Sequence, residues 1–506
     1  MDRRVTPART VTAVACVAAC IALAAGCALD DESYGESEHP VNYRLNALEF
    51  PNPHGTARTY SDNPKASLKR SAILAQPFFQ SFGVNGRVCG HCHLPGEGWS
   101  ITPTLVQRRF THPLDVADPD CMVDARTCAL EPDPTRHGLD PIFRTVDGAN
   151  SPLADVSTAA ARQVAYSMLL SKAVVRVGIA IPADADFELE AVDDPYGYAS
   201  AAELSLFRRP LPATNLRLSP VDDQPGTPVL TGVMWDGRVA RPGHDIIGDL
   251  LDQANGATMG HAQATAGLSE AQRQAILEFE TGLHTAQTID AAAGNLHAVG
   301  GRGGPDWLAA NQDFYIGIND VVLGDYQTGE PFDPRVFSLF NAWAGSPNAA
   351  RARIARGQEL FNSKPIAISG VRGLNDALGV EVIAGTCSTC HDAPNYGHHS
   401  AKLPIDIGIA DAARRTPDMP LYTLRNKSTG DTIQTSDPGR ALITGRWRDI
   451  GKFKGPILRG LAARPPYFHN GMAATVDDVI EFYDGRFGIG FTPAEKADLA
   501  AFLLAL

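Results

Sequence analysis

Residues 88–100 read VCGHCHLPGEGWS, in which Cys89 and Cys92 stand three positions apart and His93 follows the second cysteine directly. Residues 386–392 read TCSTCHD and repeat this pattern in the other half of the chain. Three kinds of site use such a cysteine pair: a zinc site, a redox-active disulfide and the covalent attachment site of a haem. The compartment of the protein and the use of its other cysteines help to choose among them.

The first 27 residues indicate export. A short basic segment, MDRRVTPAR, precedes an alanine-rich apolar stretch that is too short for a confident membrane span. The stretch ends in LAAGC, residues 23–27, which resembles a bacterial lipobox with Cys27 as the lipidated residue. An ordinary signal peptide cut elsewhere is the alternative. We expect a lipid-anchored protein that faces the periplasm, an oxidising compartment.

The nine cysteines of the chain divide accordingly. Cys16 and Cys20 lie in the signal peptide, Cys27 carries lipid, and four cysteines belong to the two repeated patterns. Cys121 and Cys128 remain, and an even remainder in an exported protein predicts a disulfide that closes a small loop. Two unpaired thiols are the alternative.

The histidine beside each cysteine pair decides between the three kinds of site. Zinc sites usually combine two cysteine pairs, or one cysteine pair with a spaced histidine pair, and a redox disulfide needs no histidine. Covalent haem needs all three residues, because two thiols bind the vinyl groups and the imidazole binds iron. We therefore predict two c-type haems, attached at Cys89 and Cys92 and at Cys387 and Cys390. Their proximal iron ligands are His93 and His391.

The composition sets further limits. A chain of 506 residues with 44% apolar residues is typical of a soluble protein with two or more domains. Its formal net charge of −13 argues against a nucleic-acid partner. The same charge is compatible with basic partners such as small cationic redox proteins.

Apolar periodicity predicts several helices. Residues 65–88 are expected to lead as a helix into the first cysteine pair, and residues 268–287 form another helix. The second of these begins with a capping box of Ser269 and Gln272. The last helix begins at Thr492, and Glu495 completes its box.

Beyond the paired motifs, two stretches carry a resemblance to a known family. GKFKGPILRGLAARPPYFHNGMAATVDDVIEFYDGRF, residues 451–487, resembles the second haem domain of bacterial dihaem cytochrome c peroxidases and MauG, and VMWDGR, residues 233–238, resembles their Trp-Asp-Gly-Arg segment. The resemblance implies a mainly α fold of two cytochrome c-like domains with long loops. We place them at 66–345 and 346–506, with an insertion at about 166–230 and a tether at 28–65.

The resemblance implies different tasks for the two haems. The first offers an open iron where peroxide reacts, and the second is six-coordinate and supplies an electron. A tryptophan between them couples the irons, and this residue would be Trp235. The alternative for Trp235 is a plain core residue over a tight turn.

The family's distal ligand at the second haem falls on Tyr483, counted from PPYFHNG. Thr475 caps a predicted helix that turns Tyr483 to its buried side. Met472 is a competing ligand, since a thioether also binds haem iron. A phenolate would favour the higher oxidation states and MauG-like oxidising chemistry.

The distal side of the first haem departs from the family, which has a glutamate shortly after the Trp-Asp-Gly-Arg segment. Residues 239–266 contain no Glu, and the candidates there are His261, as a base, and Gln263. His261 on the surface is the alternative. A calcium ion between the haems is also implied, with Asn150, Arg464 and Pro466 as matching positions and mostly backbone ligands.

Three functions follow for this scaffold. The favoured one is the oxidation of an electron donor, a small redox protein or an organic molecule, by hydrogen peroxide. The first alternative is an O₂-dependent oxygenase, as in the rubber oxygenases that resemble MauG. The second is a non-catalytic electron carrier, in which His112, His137 or His244 would close the first iron.

Overall fold

Helices and small sheets alternate along the chain, so the fold is mixed α and β rather than mainly α as the sequence predicted. The computed structural model describes residues 46–69, 72–113, 119–123, 136–218, 233–239, 246–310, 314–399 and 404–506. Residues 45–506 form one compact unit. The proposed division at residue 345 therefore stays a prediction.

The α-helices of the described residues are mostly short. They are α1 (Pro103–Thr111), α2 (Pro119–Val123), α3 (Ala159–Ala165), α4 (Ser167–Lys172), α5 (Ile246–Gly260), α6 (Glu270–Thr281), α7 (Pro305–Ala310), α8 (Ala349–Ser363), α9 (Asn375–Leu378), α10 (Ala441–Thr444), α11 (Val476–Phe487) and α12 (Pro493–Leu504). None of the helices in the described part of the chain is long and apolar enough to cross a membrane.

In the part of the chain that the structure describes, the strands form four small sheets, with antiparallel pairing between neighbours. They are β1 (Ala47–Asn52), β2 (Gly55–Ser61), β3 (Val175–Ile179), β4 (Phe187–Asp193), β5 (Leu204–Arg208), β6 (Leu283–Asp290), β7 (Gly294–Asn295), β8 (Ile366–Ser369), β9 (Val382–Gly385), β10 (Leu421–Asn426) and β11 (Thr432–Thr435). The sheet orders are β1-β2-β6-β7, β11-β10-β4, β3-β5 and β8-β9.

One of these sheets, β1-β2-β6-β7, corrects two of the predicted segments. β1 and β2 lie within the predicted tether, yet β2 pairs with β6 and places Thr59 opposite Thr285. β6 includes the end of the helix predicted for 268–287, because α6 stops before Gly282 and the chain then joins β2. The side chains of Thr59 and Thr285 share a hydrogen bond of 2.7 Å inside this sheet.

Helix starts follow the sequence closely. The Ser269 hydroxyl accepts from the Gln272 amide in a capping box, and Thr492 and Glu495 form another, as predicted. The helix predicted for 65–88 is wrong. Among the described residues of this segment only two 3₁₀ turns form, Ile73–Ala75 and Pro77–Phe79, because Pro77 cannot donate to a preceding helical turn.

An aromatic core lies beside each cysteine pair and fixes its position. Near the first pair, Phe78, Trp99 and Phe279 pack with ring centroids 5.3–6.0 Å apart. Near the second pair, Phe361 packs on Phe502 with a centroid distance of 5.8 Å. Phe502 belongs to α12, which crosses α8 closely, so the terminal helix supports the second cysteine pair.

Candidate functional site

The second cysteine pair sits on a short helical turn that gathers its functional groups. Residues Cys387–Thr389 form this 3₁₀ turn, and the His391 amide donates to the Cys387 carbonyl at 3.1 Å. As a result Cys387, Cys390 and His391 line one cavity of about 200 Å³. Both thiols are free, and burial raises the pKa of each to about 12.

The ring of His391 is oriented by the backbone. Its Nδ1 lies 2.7 Å from the carbonyl oxygen of Gly397, and Nδ1 must carry the proton to donate there. The other ring nitrogen, Nε2, then keeps its lone pair. This arrangement fixes a metal-binding histidine in many proteins.

Tyr483 lies across the same cavity on α11. Its ring centroid is 6.4 Å from that of His391, and both residues line the cavity. The Tyr483 hydroxyl makes no hydrogen bond within the described part of the chain. Burial raises the pKa of Tyr483. Met472 is not among the described residues that line this cavity, so the structure brings Tyr483 and not Met472 to His391.

The cavity walls combine apolar surface with unpaired positive charge. Its aliphatic and aromatic lining includes Ile366, Ile368, Ile405, Ile407 and Phe453. Lys454 and Arg464 also line it. Lys454 forms no ion pair with the described residues, and burial lowers its pKa to about 8. The buried Nε of Arg464 has no hydrogen-bond partner among them. Arg209, whose guanidinium donates only to neutral oxygens, lines it as well. An apolar slot with uncompensated cations fits a haem, whose porphyrin is apolar and whose propionates are anionic.

Trp235 lines the cavity from the other half of the chain. Its indole Nε1 donates to the Arg209 carbonyl at 2.9 Å, and its own carbonyl accepts from the Lys454 amide at 2.8 Å. Its neighbour Asp236 forms a buried ion pair with Arg208, the last residue of β5. The Trp-Asp-Gly-Arg turn is therefore held by both halves of the chain.

The first cysteine pair repeats the same local geometry. Residues Cys89–His91 form a 3₁₀ turn, and the His93 amide donates to the Cys89 carbonyl at 3.0 Å. His93 Nδ1 lies 3.2 Å from the carbonyl oxygen of Trp99, so Nε2 again keeps its lone pair. Burial lowers the pKa of His93 to about 4, which keeps the ring neutral. Cys89 and Cys92 are free, and burial raises their pKa values to about 12 and about 11.

His261 is held beside the segment that leads into the first pair. Its Nδ1 makes a short hydrogen bond with Asp147, and the other oxygen of Asp147 pairs with Arg87, two residues before Cys89. The side chain of His261 is 44% exposed. Burial raises the pKa of Asp147, but the hydrogen bond from His261 and the charge of Arg87 together bring it below its usual value. A carboxylate on Nδ1 leaves Nε2 free to take up a proton.

Two acidic residues near the first pair were not predicted. Asp147 occurs in a loop with no motif, and only the long-range contact with His261 reveals it. Glu280 is buried on α6, its Oε2 has no hydrogen-bond partner among the described residues, and burial raises its pKa to about 8. Its charge also raises the pKa of Cys89. The spacing of Glu280 four residues after the buried Ile276 was the available signal.

The remaining predicted residues have diverse positions. Gln263 is exposed with a φ of 55°, and its side chain lies 3.5 Å from the Asn85 amide. His112 bonds to Thr111 at 2.8 Å, and His137 packs on Phe110 with ring centroids 5.8 Å apart. Cys121 is disulfide-bonded. The other members of these predictions, Cys27, Cys128 and His244, lie outside the described residues.

The residues predicted for calcium use their polar groups for contacts within the chain. The Asn150 amide donates to Ser167 Oγ at 2.8 Å and to the Val164 carbonyl, and its oxygen accepts from the Met168 amide. The carbonyls of Arg464 and Pro466 accept from Arg209 instead. Within the described ranges, no group of three or more His, Cys, Asp or Glu is arranged to hold a metal ion. The zinc alternative for the cysteine pairs gains no support from these residues.

Comparison with known proteins gives an independent result. The chain is 30% identical over 182 residues to cytochrome-c peroxidase IdrP1 of Pseudomonas sp. (strain SCT), covering 32% of this chain and 42% of that protein. It is 30% identical over 222 residues to IdrP1 of Denitromonas iodatirespirans, covering 40% of this chain and 51% of the relative. The chain is a distant homologue of cytochrome-c peroxidases.

A further cytochrome-c peroxidase, IdrP2 of Denitromonas iodatirespirans, is 31% identical over 140 residues, which are 25% of this chain and 38% of the relative. The chain thus spans about half or less of the length of the curated peroxidases that it matches. No protein-family model matches the chain. The cytochrome-c peroxidase relationship implies c-type haems and fits the two cysteine pairs.

Proposed function

We propose that this protein is a dihaem c-type oxidoreductase that uses hydrogen peroxide to oxidise an electron donor. The observation that best supports the proposal is the cavity at the second cysteine pair. It is lined by Cys387, Cys390 and His391 together with Tyr483 and Trp235. The homology to cytochrome-c peroxidases supports the same activity. When bound, each haem supplies an iron centre that exchanges electrons with the donor or with peroxide.

The residues that line the cavity at the second cysteine pair would bind one haem and set the oxidation state that its iron prefers. Cys387 and Cys390 would attach it, and His391, oriented by the Gly397 carbonyl, would bind its iron. Tyr483 would also bind the iron, because its hydroxyl lacks another partner within the described residues and its ring faces His391. Lys454 and Arg464 would stabilise the propionates. A phenolate at this site would favour the higher oxidation states of the iron.

The first cysteine pair would hold the haem that reacts with peroxide. Cys89 and Cys92 would attach it, and His93, kept neutral by burial, would bind its iron. Trp235 would couple the two haem sites, and its indole supports this role because its Nε1 is fixed on the Arg209 carbonyl while its own backbone carbonyl is held by the Lys454 amide. With both haems loaded, Trp235 would be the residue through which the two sites exchange electrons.

His261 moves the proton that peroxide cleavage requires. Reduction of one peroxide to two waters consumes two electrons and two protons, and a base must first shift a proton between the peroxide oxygens. Asp147 holds the His261 ring in one tautomer, while Arg87 keeps Asp147 ionised. Gln263 follows on the same loop and is the polar neighbour that the sequence suggested.

The setting of the reaction follows from the sequence. The donor is a small redox protein or an organic molecule, and nucleic acid takes no part. The protein works in the periplasm, where a lipid on Cys27 anchors it to a membrane and a Cys121–Cys128 disulfide is stable.

A low-temperature EPR spectrum of the ferric protein, with both haems loaded, tests the proposal together with turnover measurements. We expect one high-spin and one low-spin signal, and peroxide consumption matched by two donor electrons per peroxide. O₂ uptake without a need for peroxide would point to the oxygenase instead. Two low-spin signals that persist after half-reduction would leave only an electron carrier.

A further inference from the structure

A buried cation with neutral partners joins the two halves of the chain. Arg209 is 5% exposed. Its guanidinium donates to Ser100 Oγ at 3.1 Å and to the Ile101 carbonyl at 2.7 Å, and its other terminal nitrogen donates to the carbonyls of Arg464, at 3.2 Å, and Pro466. No carboxylate of the described residues lies within ion-pair distance of Arg209.

Two of these oxygens are the ones that the family resemblance assigns to calcium. The carbonyls of Arg464 and Pro466 both point at the Arg209 guanidinium. The third expected position, Asn150, uses its side-chain nitrogen and oxygen for contacts with residues 164–168. The two carbonyl oxygens of the predicted calcium site therefore already contact a cation of the chain, the Arg209 guanidinium.

We propose that the guanidinium of Arg209 takes the place of the calcium ion, so that this protein holds the loops around its two haem sites together without a metal. The proposal does not depend on peroxidase activity. It concerns only which cation neutralises the oxygens at the junction.

Electrostatic repulsion allows either the Arg209 guanidinium or a calcium ion at these carbonyl oxygens, but not both. Calcium binds six to eight oxygens at 2.3–2.6 Å, usually with carboxylates among them. An ion bound to the Arg464 and Pro466 carbonyls would lie within roughly 5–6 Å of the guanidinium, where repulsion in a buried site is strong. Burial lowers the pKa of Arg209 to about 9, so the group still keeps its charge at neutral pH.

The backbone of Arg209 links this junction to the proposed electron path. Its amide donates to the His469 carbonyl at 2.7 Å, and its carbonyl accepts from Trp235 Nε1 at 2.9 Å. The guanidinium anchors this backbone to the loop after the first cysteine pair. Arg209 is thus a positioning residue for Trp235, and calcium would not control that position.

The first experiment uses the holo wild-type protein purified without chelator. We expect elemental analysis to find two irons but no stoichiometric calcium per chain. EGTA and added millimolar CaCl₂ should both leave the thermal unfolding midpoint and the EPR spectrum unchanged. One calcium per chain, or a shift of either readout by EGTA, would overturn the proposal.

The second experiment compares Arg209→Ala, Arg209→Lys and the control Arg217→Ala, whose guanidinium is exposed and pairs with Asp62. We expect Arg209→Ala to lower the unfolding midpoint and to slow electron transfer between the haems, with Arg209→Lys retaining more of both. Millimolar CaCl₂ should raise the midpoint of Arg209→Ala but not that of the wild type. Equal midpoints for Arg209→Ala and the control would contradict the proposal, and if Arg209→Ala does not fold, the wild-type calcium content still decides.

Discussion

At the scale of single residues, Tyr483 offers the most direct test of the second haem site. Replacing it by Phe keeps the ring and removes only the hydroxyl. If that oxygen binds iron, Tyr483→Phe converts the low-spin signal of the second haem to another ligation state and changes its reduction potential. EPR and redox titration of the holo protein measure both effects.

Tyr467→Phe is the matched control for that substitution. Tyr467 lines the same cavity, but its hydroxyl donates to the Leu461 carbonyl at 2.9 Å. The control should leave the spectrum of the second haem unchanged. Identical spectra for Tyr483→Phe and the wild type would exclude Tyr483 as a ligand.

His261 should matter for turnover rather than for haem binding. We expect His261→Gln to lower the rate of the peroxide reaction by roughly 10²–10⁴, since a positioned acid–base residue contributes about that much. Stopped-flow mixing with peroxide measures the rate, and the ferric spectrum checks both haems. His54→Gln, on an exposed turn, serves as the control. A rate within twofold of the wild type would remove His261 from the mechanism.

The buried carboxyl group of Glu280 should give the stability of the protein an unusual pH dependence. Burial raises its pKa from 4.5 to about 8, so between these values the folded state binds more protons than the unfolded state. The free energy of unfolding should therefore fall by a few kcal/mol as the pH rises from about 4.5 to about 8, and then level off. Glu280→Gln should flatten this slope, whereas Glu278→Gln on the outer face of the same helix should keep it. Urea unfolding at several pH values gives the answer.

Sequence reasoning at this scale grouped residues whose signals are local. Cys387, Cys390 and His391 are neighbours in the chain, and the helical period brought Tyr483 to the same cavity. Asp147 and Arg209 were missed because their partners lie far away in sequence. The expected calcium positions stay a prediction, since a backbone carbonyl leaves no trace in the side-chain pattern.

At the scale of elements, the contact of α8 with α12 depends on a glycine. A Cβ on Gly357 would meet the carbonyl oxygen of Asp498 at 2.0 Å, so the two helices could not keep their distance. A Cβ on Gly485, inside α11, would meet nothing within 4 Å. Both are interior helical positions, which makes them a matched pair.

Alanine at these two glycines should have opposite effects. Gly485→Ala should stabilise the protein by about 0.5–1 kcal/mol through helix propensity. Gly357→Ala gains the same propensity but should destabilise by about 1–3 kcal/mol, because backbone must move. Thermal unfolding of the holo proteins measures both. A stabilising Gly357→Ala would mean that the helices do not touch there.

Helix starts could be predicted because their sequence signals lie within a single helical turn. The capping boxes at Ser269 and Thr492 are read from four consecutive residues, and both form. Strand pairing is not local, so β1 and β2 were mistaken for a tether. The same cause turned the end of a predicted helix into β6, since its partner lies more than two hundred residues earlier.

At the scale of the whole molecule, Arg208 connects three distant segments. It pairs with Asp236 of the Trp-Asp-Gly-Arg turn and forms two bonds to Asp437, at 2.7 and 2.9 Å. All three side chains are almost fully buried. Arg208→Met would leave two buried carboxylates without their shared partner.

We expect Arg208→Met to destabilise the folded protein by about 3–5 kcal/mol, as loss of one member of a buried ion pair usually does. The triple variant Arg208→Met, Asp236→Asn and Asp437→Asn should recover a large part, because the two buried carboxylates lose their charge together with the arginine. Chemical denaturation with both haems loaded compares them. A single variant as stable as the wild type would show that water reaches these carboxylates.

The sheet of β11, β10 and β4 affects the order in which parts of the chain can fold. β4 comes from the first half of the chain, yet its partner β10 begins only at Leu421. During synthesis and export, β4 must therefore wait, unpaired, until most of the second half has emerged. Contacts of such long sequence separation make folding slow, so the first half has an exposed strand edge during that delay. A chaperone that binds extended segments should bind residues 187–193 during this delay. Newly made chains that are stalled before residue 421 should be cut by protease at these residues more easily than complete chains.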